Sequence, residues 1–367
     1  FFLLNKGLSI LQIMNILAVY FITIVLLEIP SGAVADIIGR KKTYAFGMLI
    51  IGICVLSYIF VETYIGFIFI EMLYGLGFAL QSGANTALIW DTLKNLKKEK
   101  DFKKIQGKAQ GIGLITVTFT SLFAGWIYSI NINFPLILSS IFLFIGFFVA
   151  LSFKEPNRYS EKIRLRETLS LTKESASFTI NHKQLLWLIL FSSAFLAFGR
   201  AIFWLFQKFF LDTGINIIYI GIIFSGATLI AAFSSILAHR IEKIMGRNLS
   251  FIIMFAFTFF ALLFLSSGNI YFGISAIILT QFVLGYSNPI ITDYINILSH
   301  SRNRATVLSV FSFSTNLMIG ILLPFVGWLA EIYTLPQAFL MSASLFFAIN
   351  ILLLISRALR LKKKADK

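Results

Sequence analysis

The chain has 367 residues, of which 58% are hydrophobic and 13% are charged, and its mean hydropathy is +0.88. These values exclude an ordinary soluble domain and are typical of a polytopic membrane protein. The net charge of +15 does not indicate a nucleic-acid partner, because the basic residues lie between apolar segments. The single cysteine excludes an internal disulfide, and three scattered histidines predict neither a metal site nor a cofactor.

Eleven apolar segments are long enough to cross the hydrocarbon core as helices, which takes roughly 20 residues each. Residues 1–4 resemble the last turn of a further helix, so we expect twelve spans with the first one truncated. Counting that turn as span one, spans two to twelve are 9–32, 43–61, 64–90, 107–129, 134–153, 185–209, 216–238, 249–267, 270–296, 306–330 and 336–356.

The basic residues are distributed unequally between the two sides of these spans. Of 31 Lys and Arg residues, 28 fall on alternate connections that include the 154–184 loop and the C-terminus. Lys6 and Lys208 lie on the other side, and Arg200 lies within a span. Cytoplasmic connections carry the excess of positive charge, so the sequence predicts a multi-pass protein of the cell membrane with its central loop and C-terminus cytoplasmic.

The only long polar stretch divides the chain. We expect an N-terminal half (1–153), a cytoplasmic central loop (154–184), a C-terminal half (185–356) and a basic cytoplasmic tail (357–367). Identical residues recur at an offset of 202, which places span four on span ten and span five on span eleven as in a parallel repeat. The pairs are Gly83 and Gly285, Asp91 and Asp293, Phe123 and Phe325, Gly125 and Gly327, and Trp126 and Trp328.

A short motif follows span two. Residues 32–42 read Gly-Ala-Val-Ala-Asp-Ile-Ile-Gly-Arg-Lys-Lys and fit the pattern G-x-x-x-D-x-x-G-R-K through Gly32, Asp36, Gly39, Arg40 and Lys41. We expect the first glycine to permit close helix packing, the second to permit a tight turn, and the basic residues to contact anionic lipid. The alternative is a plain basic turn beside a membrane helix.

This motif, in this place, resembles the signature of the major facilitator superfamily. The resemblance implies an all-α fold of two six-helix bundles. It also implies that Asp36, Arg40 and the acid that closes span four, Asp91, form a charge cluster that holds the halves together when the cytoplasmic side is closed. The alternative for Asp91 is that it caps its helix or pairs with Lys94. The turn after span eight keeps a Gly246-Arg247 pair but lacks the equivalent acid.

Two further stretches are similar to the drug-efflux-like branch of that superfamily. They are residues 82–91 and the run Arg304-Ala305-Thr306-Val307-Leu308-Ser309. The resemblance implies a secondary transporter that works by alternating access and exports a hydrophobic or cationic small molecule in exchange for protons. Span five departs from the antiporter pattern G-x-x-x-G-P-x-x-G-G, because no proline lies between Gly107 and Ser129. We expect a monomer in the lipid bilayer.

Other functions remain as alternatives. An uptake symporter, a uniporter, or a sensor built on a transporter scaffold would give similar helices. An enzyme is not expected, because the sequence has no Walker loop, no nucleophile elbow and no HExxH motif, and hence no catalytic residues to nominate.

Acidic residues inside spans are candidates for proton coupling, because a carboxylate in hydrocarbon favours its protonated form. Glu28, Glu71 and Asp293 are the three candidates. Glu71 and Arg200 lie at similar predicted depths, so they could latch the outer side or bind an anionic group; two separate interactions are the alternative. The candidates for the solute cavity are Gln81, Asn85, Arg200, Trp204, Gln281 and Asn316, although polar amides often only bridge helices.

Overall fold

The computed structural model describes residues 1–156, 177, 179–299 and 304–365, and these residues form helices joined by short connections. The predicted central loop lies mostly outside the described residues. The helices are α1 (Phe2–Asn5), α2 (Ile10–Ile38), α3 (Arg40–Ser57), α4 (Tyr64–Asn95), α5 (Phe102–Ile130), α6 (Phe134–Ser152), α7 (Lys183–Asp212), α8 (Ile217–Ser266), α9 (Ile270–Leu298), α10 (Arg304–Ile332) and α11 (Leu335–Ala365). A single 3-10 turn, Glu99–Asp101, precedes α5.

Each predicted span coincides with one of these helices or a part of one, except that span three was predicted to reach residue 61 and α3 ends at Ser57, and that four other spans are one residue too long at one end. Nine helices of the described part are long and apolar enough to cross a membrane by length and composition. That number counts α8 once, although its 50 residues suffice for two crossings of about 30 Å. It omits α3, which has 18 residues and begins with three basic ones. The all-α polytopic fold predicted from the sequence is confirmed.

The larger differences from the predicted boundaries are three, of which one is that the last helix continues past residue 356 into the predicted tail, as far as Ala365. The helix of span two does not end near residue 32 but continues to Ile38, because no residue from Ala33 onward interrupts it before Gly39. Spans eight and nine are not separated by a loop. They are two parts of α8 that meet at Gly246, whose φ of 75° and ψ of 169° break the helix without a connecting segment.

Polar caps fix where several helices begin. Ser9 and Gln12 form a reciprocal capping box at α2, and Thr63 accepts a hydrogen bond from the backbone of α4. Asn216 and Asn269 cap α8 and α9 in the same way. Such side chains satisfy backbone donors that a helix start leaves unpaired, which explains sharp starts beside long apolar sequences. All four caps lie at the end of the molecule opposite Gly39, whose end we call the signature side.

The helices pack as two bundles, α1–α6 and α7–α11. Within the first, α3 packs on α4 and α6, and α2 packs on α4; within the second, α8 packs on α9 and α11. The described helices meet across the bundles in two pairs, α2 with α10 and α5 with α8. The second bundle holds the larger apolar core, where Phe191, Phe198 and Phe206 of α7 are almost fully buried.

The contact of α2 with α10 depends on small residues. A Cβ on Gly327 would lie 2.7 Å from Met14, and one on Gly320 would lie 2.9 Å from Ile22. Near the far end, the backbone N–H of Leu11 donates to Glu331 at 3.1 Å. The two helices therefore run antiparallel and in close contact from the far end toward the middle of the molecule.

The contacts that can be assigned to residues of α5 and α8 lie in the half of this pair toward the far end. The Ser225 hydroxyl donates to the Thr118 carbonyl at 3.0 Å, and a Cβ on Gly221 would lie 2.7 Å from the Ser121 carbonyl. Two turns closer to the signature side, a Cβ on Gly111 would meet no atom within 4 Å. These contacts of the pair thus lie at residues 118–121 of α5 and 221–225 of α8, whereas the Cβ position of Gly111 is open.

Candidate functional site

The signature motif forms the junction of α2 and α3. Gly39 has φ 114° and ψ 142°, which is a conformation that favours glycine, and it ends one helix and begins the next. The tight turn predicted for this residue is confirmed. The packing role predicted for Gly32 is wrong, because a Cβ there would meet nothing within 4 Å. The close approach is made by Gly83 of α4, whose Cβ would lie 3.3 Å from the Gly32 nitrogen.

The charged residues of the motif meet at this junction. Arg40 Nη1 forms an ion pair with Asp91 of α4 and donates to the Ala87 carbonyl at 2.7 Å. Asp36 lies farther away, with its Oδ1 3.8 Å from Arg40 Nη2. The side chains of Arg40 and Asp91 are 10% and 7% exposed, whereas that of Asp36 is 40% exposed. The structure thus brings the three predicted residues together, and these contacts all lie within the first bundle.

A fourth residue, which the sequence did not suggest, completes the junction. Glu155 follows α6, and its carboxylate accepts the backbone N–H groups of Arg40 at 2.8 Å and Lys41 at 3.1 Å. Gly39 has no side chain with which to cap α3, so an acid from elsewhere satisfies these donors. The missing cap was the only signal in the sequence, and it did not say which acid would supply the contact.

A cavity of about 430 Å³ lies at the opposite end of the bundles from this junction. Its walls come from α1, the first half of α2, the end of α3, the first part of α4 and the second half of α7. Three of the predicted residues, Glu71, Arg200 and Trp204, line it. Its other polar or aromatic walls include Phe1, Phe2, Tyr20, Phe21, Tyr58, Tyr74, Gln207 and Lys208.

The two charged residues predicted at equal depth lie in this one cavity but have different neighbours. Glu71 is 8% exposed and accepts a hydrogen bond from the Tyr58 hydroxyl. Arg200 is exposed to the cavity, lies near Tyr20, and has no carboxylate within 4 Å among the described residues. No Glu71–Arg200 ion pair forms in this conformation.

The remaining predicted acids lie elsewhere. Glu28 lies beside Ser312 of α10, and its Oε2 is buried without a hydrogen-bond partner among the described residues. Asn316 donates to the same serine at 3.4 Å. Glu28 therefore belongs to the α2–α10 contact between the bundles. Asp293 is exposed on α9.

The predicted amides do not line the cavity. Gln81 packs between α3 and α4, where its Cγ lies 2.7 Å from the position of a Cβ on Gly47. Its Nε2 is buried and finds no acceptor in the described part of the chain. Gln281 is buried in the second bundle and Asn85 is exposed. Gln81 and Gln281 are packed among helices outside the cavity, and the solute contacts expected of these amides stay a prediction.

Comparison with known proteins identifies the family to which this chain belongs. The family model of the Major Facilitator Superfamily matches residues 2–322. The chain belongs to this superfamily. An uncharacterized transporter of the same superfamily, YxaM of Bacillus subtilis (strain 168), is 24% identical over 256 residues. That match spans 67% of this chain and 62% of the relative, less than two thirds of its length.

Solved structures of superfamily transporters share the architecture. A mutant of the nucleoside transporter NupG has a TM-score of 0.79 at 15% identity, with 96% of this chain and 92% of that chain covered. A bacterial homologue of the human lysosomal transporter Spinster, solved in an inward-facing and occupied conformation, has a TM-score of 0.71 at 15% identity over 96% and 90%. At this identity the likeness shows the fold alone. The drug-efflux-like branch predicted from residues 82–91 and 304–309 stays a prediction.

A second cluster lies in the other bundle. Gly246 breaks α8 as Gly39 separates α2 from α3, and Arg247 follows it. The guanidinium of Arg247 lies 4.5 Å from the centroid of the Tyr294 ring, and the Tyr294 hydroxyl donates to Glu242. A cation–π contact and a tyrosine–glutamate bond thus stand where the first bundle has its Arg40–Asp91 ion pair.

Proposed function

We propose that this superfamily transporter is a secondary active carrier, which moves a small molecule by alternating access. The observation that carries the proposal is the one-sided contact of α5 with α8. The helices touch at Thr118 and Ser225, and a Cβ on Gly111, two turns nearer the signature side, would meet no atom within 4 Å. We infer from this that the pair is closed toward the far end and open toward the signature side. A carrier needs that asymmetry, together with a mirror state in which the other end closes.

We further propose that the signature side faces the cytoplasm, because most Lys and Arg residues lie on that side. The described conformation is then open inward. In the mirror state the signature cluster of Asp36, Arg40 and Asp91 would stabilise closure against the second bundle.

Proton coupling is part of the proposal and has two supports. Glu28 has a buried carboxylate oxygen without a partner at the α2–α10 contact, and Glu71 lies in the cavity. Each is a carboxyl group whose surroundings change if the bundles rock about that contact, which is what coupling requires.

Export of a hydrophobic or cationic compound, implied by the drug-efflux-like motifs, fits the cavity only in part. The apolar lining suits a hydrophobic body, but Arg200 would repel a cation. Net uptake is the other direction open to the same machinery. A sensor on this scaffold would bind its ligand without moving it.

The test is flux through the full-length protein in proteoliposomes. Solutes that raise the melting temperature of the purified protein are labelled, and their movement is followed with and without an imposed proton gradient. The proposal predicts gradient-driven accumulation that collapses when a protonophore is added. A solute that binds but never crosses would instead identify a sensor.

A further inference from the structure

The guanidinium of Arg200 lies at the wall of the cavity without an ion pair or side-chain hydrogen bond to another described residue. It comes from the middle of α7, within a helix long and apolar enough to span the membrane. No carboxylate of the described residues lies within 4 Å of it. The other charged side chains of the wall have protein partners. Glu71 accepts a hydrogen bond from the Tyr58 hydroxyl, and Lys208 forms an ion pair with Asp212.

A cation at membrane depth is costly unless an anion or acceptors satisfy it. The guanidinium carries five N–H donors in a planar fork that matches carboxylate and phosphate oxygens in pairs. A bound anion would therefore remove the cost that Arg200 carries in this conformation, whereas a cation would add to it.

Most of the rest of the wall is aromatic and aliphatic. Tyr20, Tyr74 and Trp204 line the same space as Arg200, together with Leu17, Phe21 and Val55. The volume of about 430 Å³ lies in the range of sites that hold drug-sized ligands. Such walls favour a planar or apolar body and leave the guanidinium to select the polar group.

We propose that the cavity binds an organic anion, with a carboxylate or phosphate group held by Arg200 and an aromatic or apolar body held by the tyrosines and Trp204. This inference rests on the proposed function in taking the cavity as the solute site. It names the solute class, which the fold does not.

The test uses four probes with the same phenyl body: 3-phenylpropionate, phenyl phosphate, 3-phenylpropionamide and phenethylamine. Each is titrated against the purified full-length protein, and binding is measured as a shift in melting temperature. The carboxylate, the phosphate or both should bind about tenfold or more tightly than the amide and the amine, because charged pairs form the stronger hydrogen bonds. The two anions distinguish a carboxylate site from a phosphate site.

Variants assign the effect to one side chain. Arg200→Gln should remove the preference for the anion, and Arg200→Lys, which keeps the charge but loses the fork, should retain part of it. The matched control is Arg240→Gln, which removes an exposed arginine of α8 that does not line the cavity; it should bind the anion as the parent does.

The outcomes separate this inference from the proposed function. Equal binding of the amine and the anions, no binding of either anion, or unchanged anion binding in Arg200→Gln would overturn the inference. Transport of a cation that does not depend on Arg200 would also overturn it and leave the carrier function standing. Anion binding through Arg200 without any flux would support the inference and remove the carrier function.

Discussion

Arg40 at the first turn of α3 and Asp91 near the end of α4 form an ion pair that is almost entirely buried. Arg40 also donates to a carbonyl of α4, so one guanidinium ties the two helices together directly after the Gly39 turn. Asp36 is more exposed and farther away. We therefore expect the three charged residues of the signature cluster to contribute unequally to stability.

This inequality predicts unequal losses of stability. Asp91→Asn should lower the free energy of unfolding by about 3 kcal/mol, because it leaves Arg40 buried without its anion. Asp36→Asn should cost less than about 1 kcal/mol, as for an exposed pair. Thermal unfolding of the purified variants measures both, and the double variant Arg40→Met/Asp91→Leu should recover part of the loss. Equal effects of the two single substitutions would contradict this ranking.

A second prediction concerns turnover. If the cluster stabilises the state closed on the signature side, Asp36→Asn and Arg40→Gln should abolish transport and leave solute binding largely intact, because neither residue lines the cavity. Flux and binding are measured on the same preparation. Parental flux in either variant would remove the gating role.

We expect the Glu155 carboxylate to stabilise the first turn of α3. Glu155→Ala removes both acceptors from the N–H groups of Arg40 and Lys41, which should cost about 1–2 kcal/mol and speed amide exchange in the first turn of that helix. Glu62→Ala removes an exposed acid from the opposite end and serves as the control. Unchanged exchange at residues 40–43 would show that the contact does not stabilise the turn.

The acids proposed for proton coupling can be ranked by position. Glu28→Gln or Glu71→Gln should end gradient-driven accumulation while exchange of solute continues, because a carrier that cannot titrate still moves its loaded form. Asp293→Asn should accumulate solute normally, since Asp293 is exposed and outside the cavity. Accumulation that survives in the Glu28→Gln/Glu71→Gln double variant would exclude both acids.

The sequence predicted the helices well because an apolar segment of sufficient length has few other structures open to it in a membrane. It also placed Glu71 and Arg200 at a common depth, since helical rise is constant, and both line one cavity. It could not supply contacts between residues far apart in the chain. Glu155 lies 115 residues from Arg40, and its local sequence does not indicate that it caps α3. The sequence could not show that Gly83 and not Gly32 makes the close helix contact, because this depends on the direction of the Cβ position of each glycine.

Cross-linking α5 to α8 at two levels along their length tests alternating access most directly. In a Cys54→Ala background, Thr118→Cys/Ser225→Cys places thiols where the helices touch. Gly111→Cys/Ala232→Cys places them two turns away on the same faces, where the Cβ position of Gly111 is open. We predict that each pair forms a disulfide in membranes, that either disulfide stops flux, and that reduction restores it. Failure of the Gly111→Cys/Ala232→Cys pair to cross-link, or flux that continues once it has, would contradict the account.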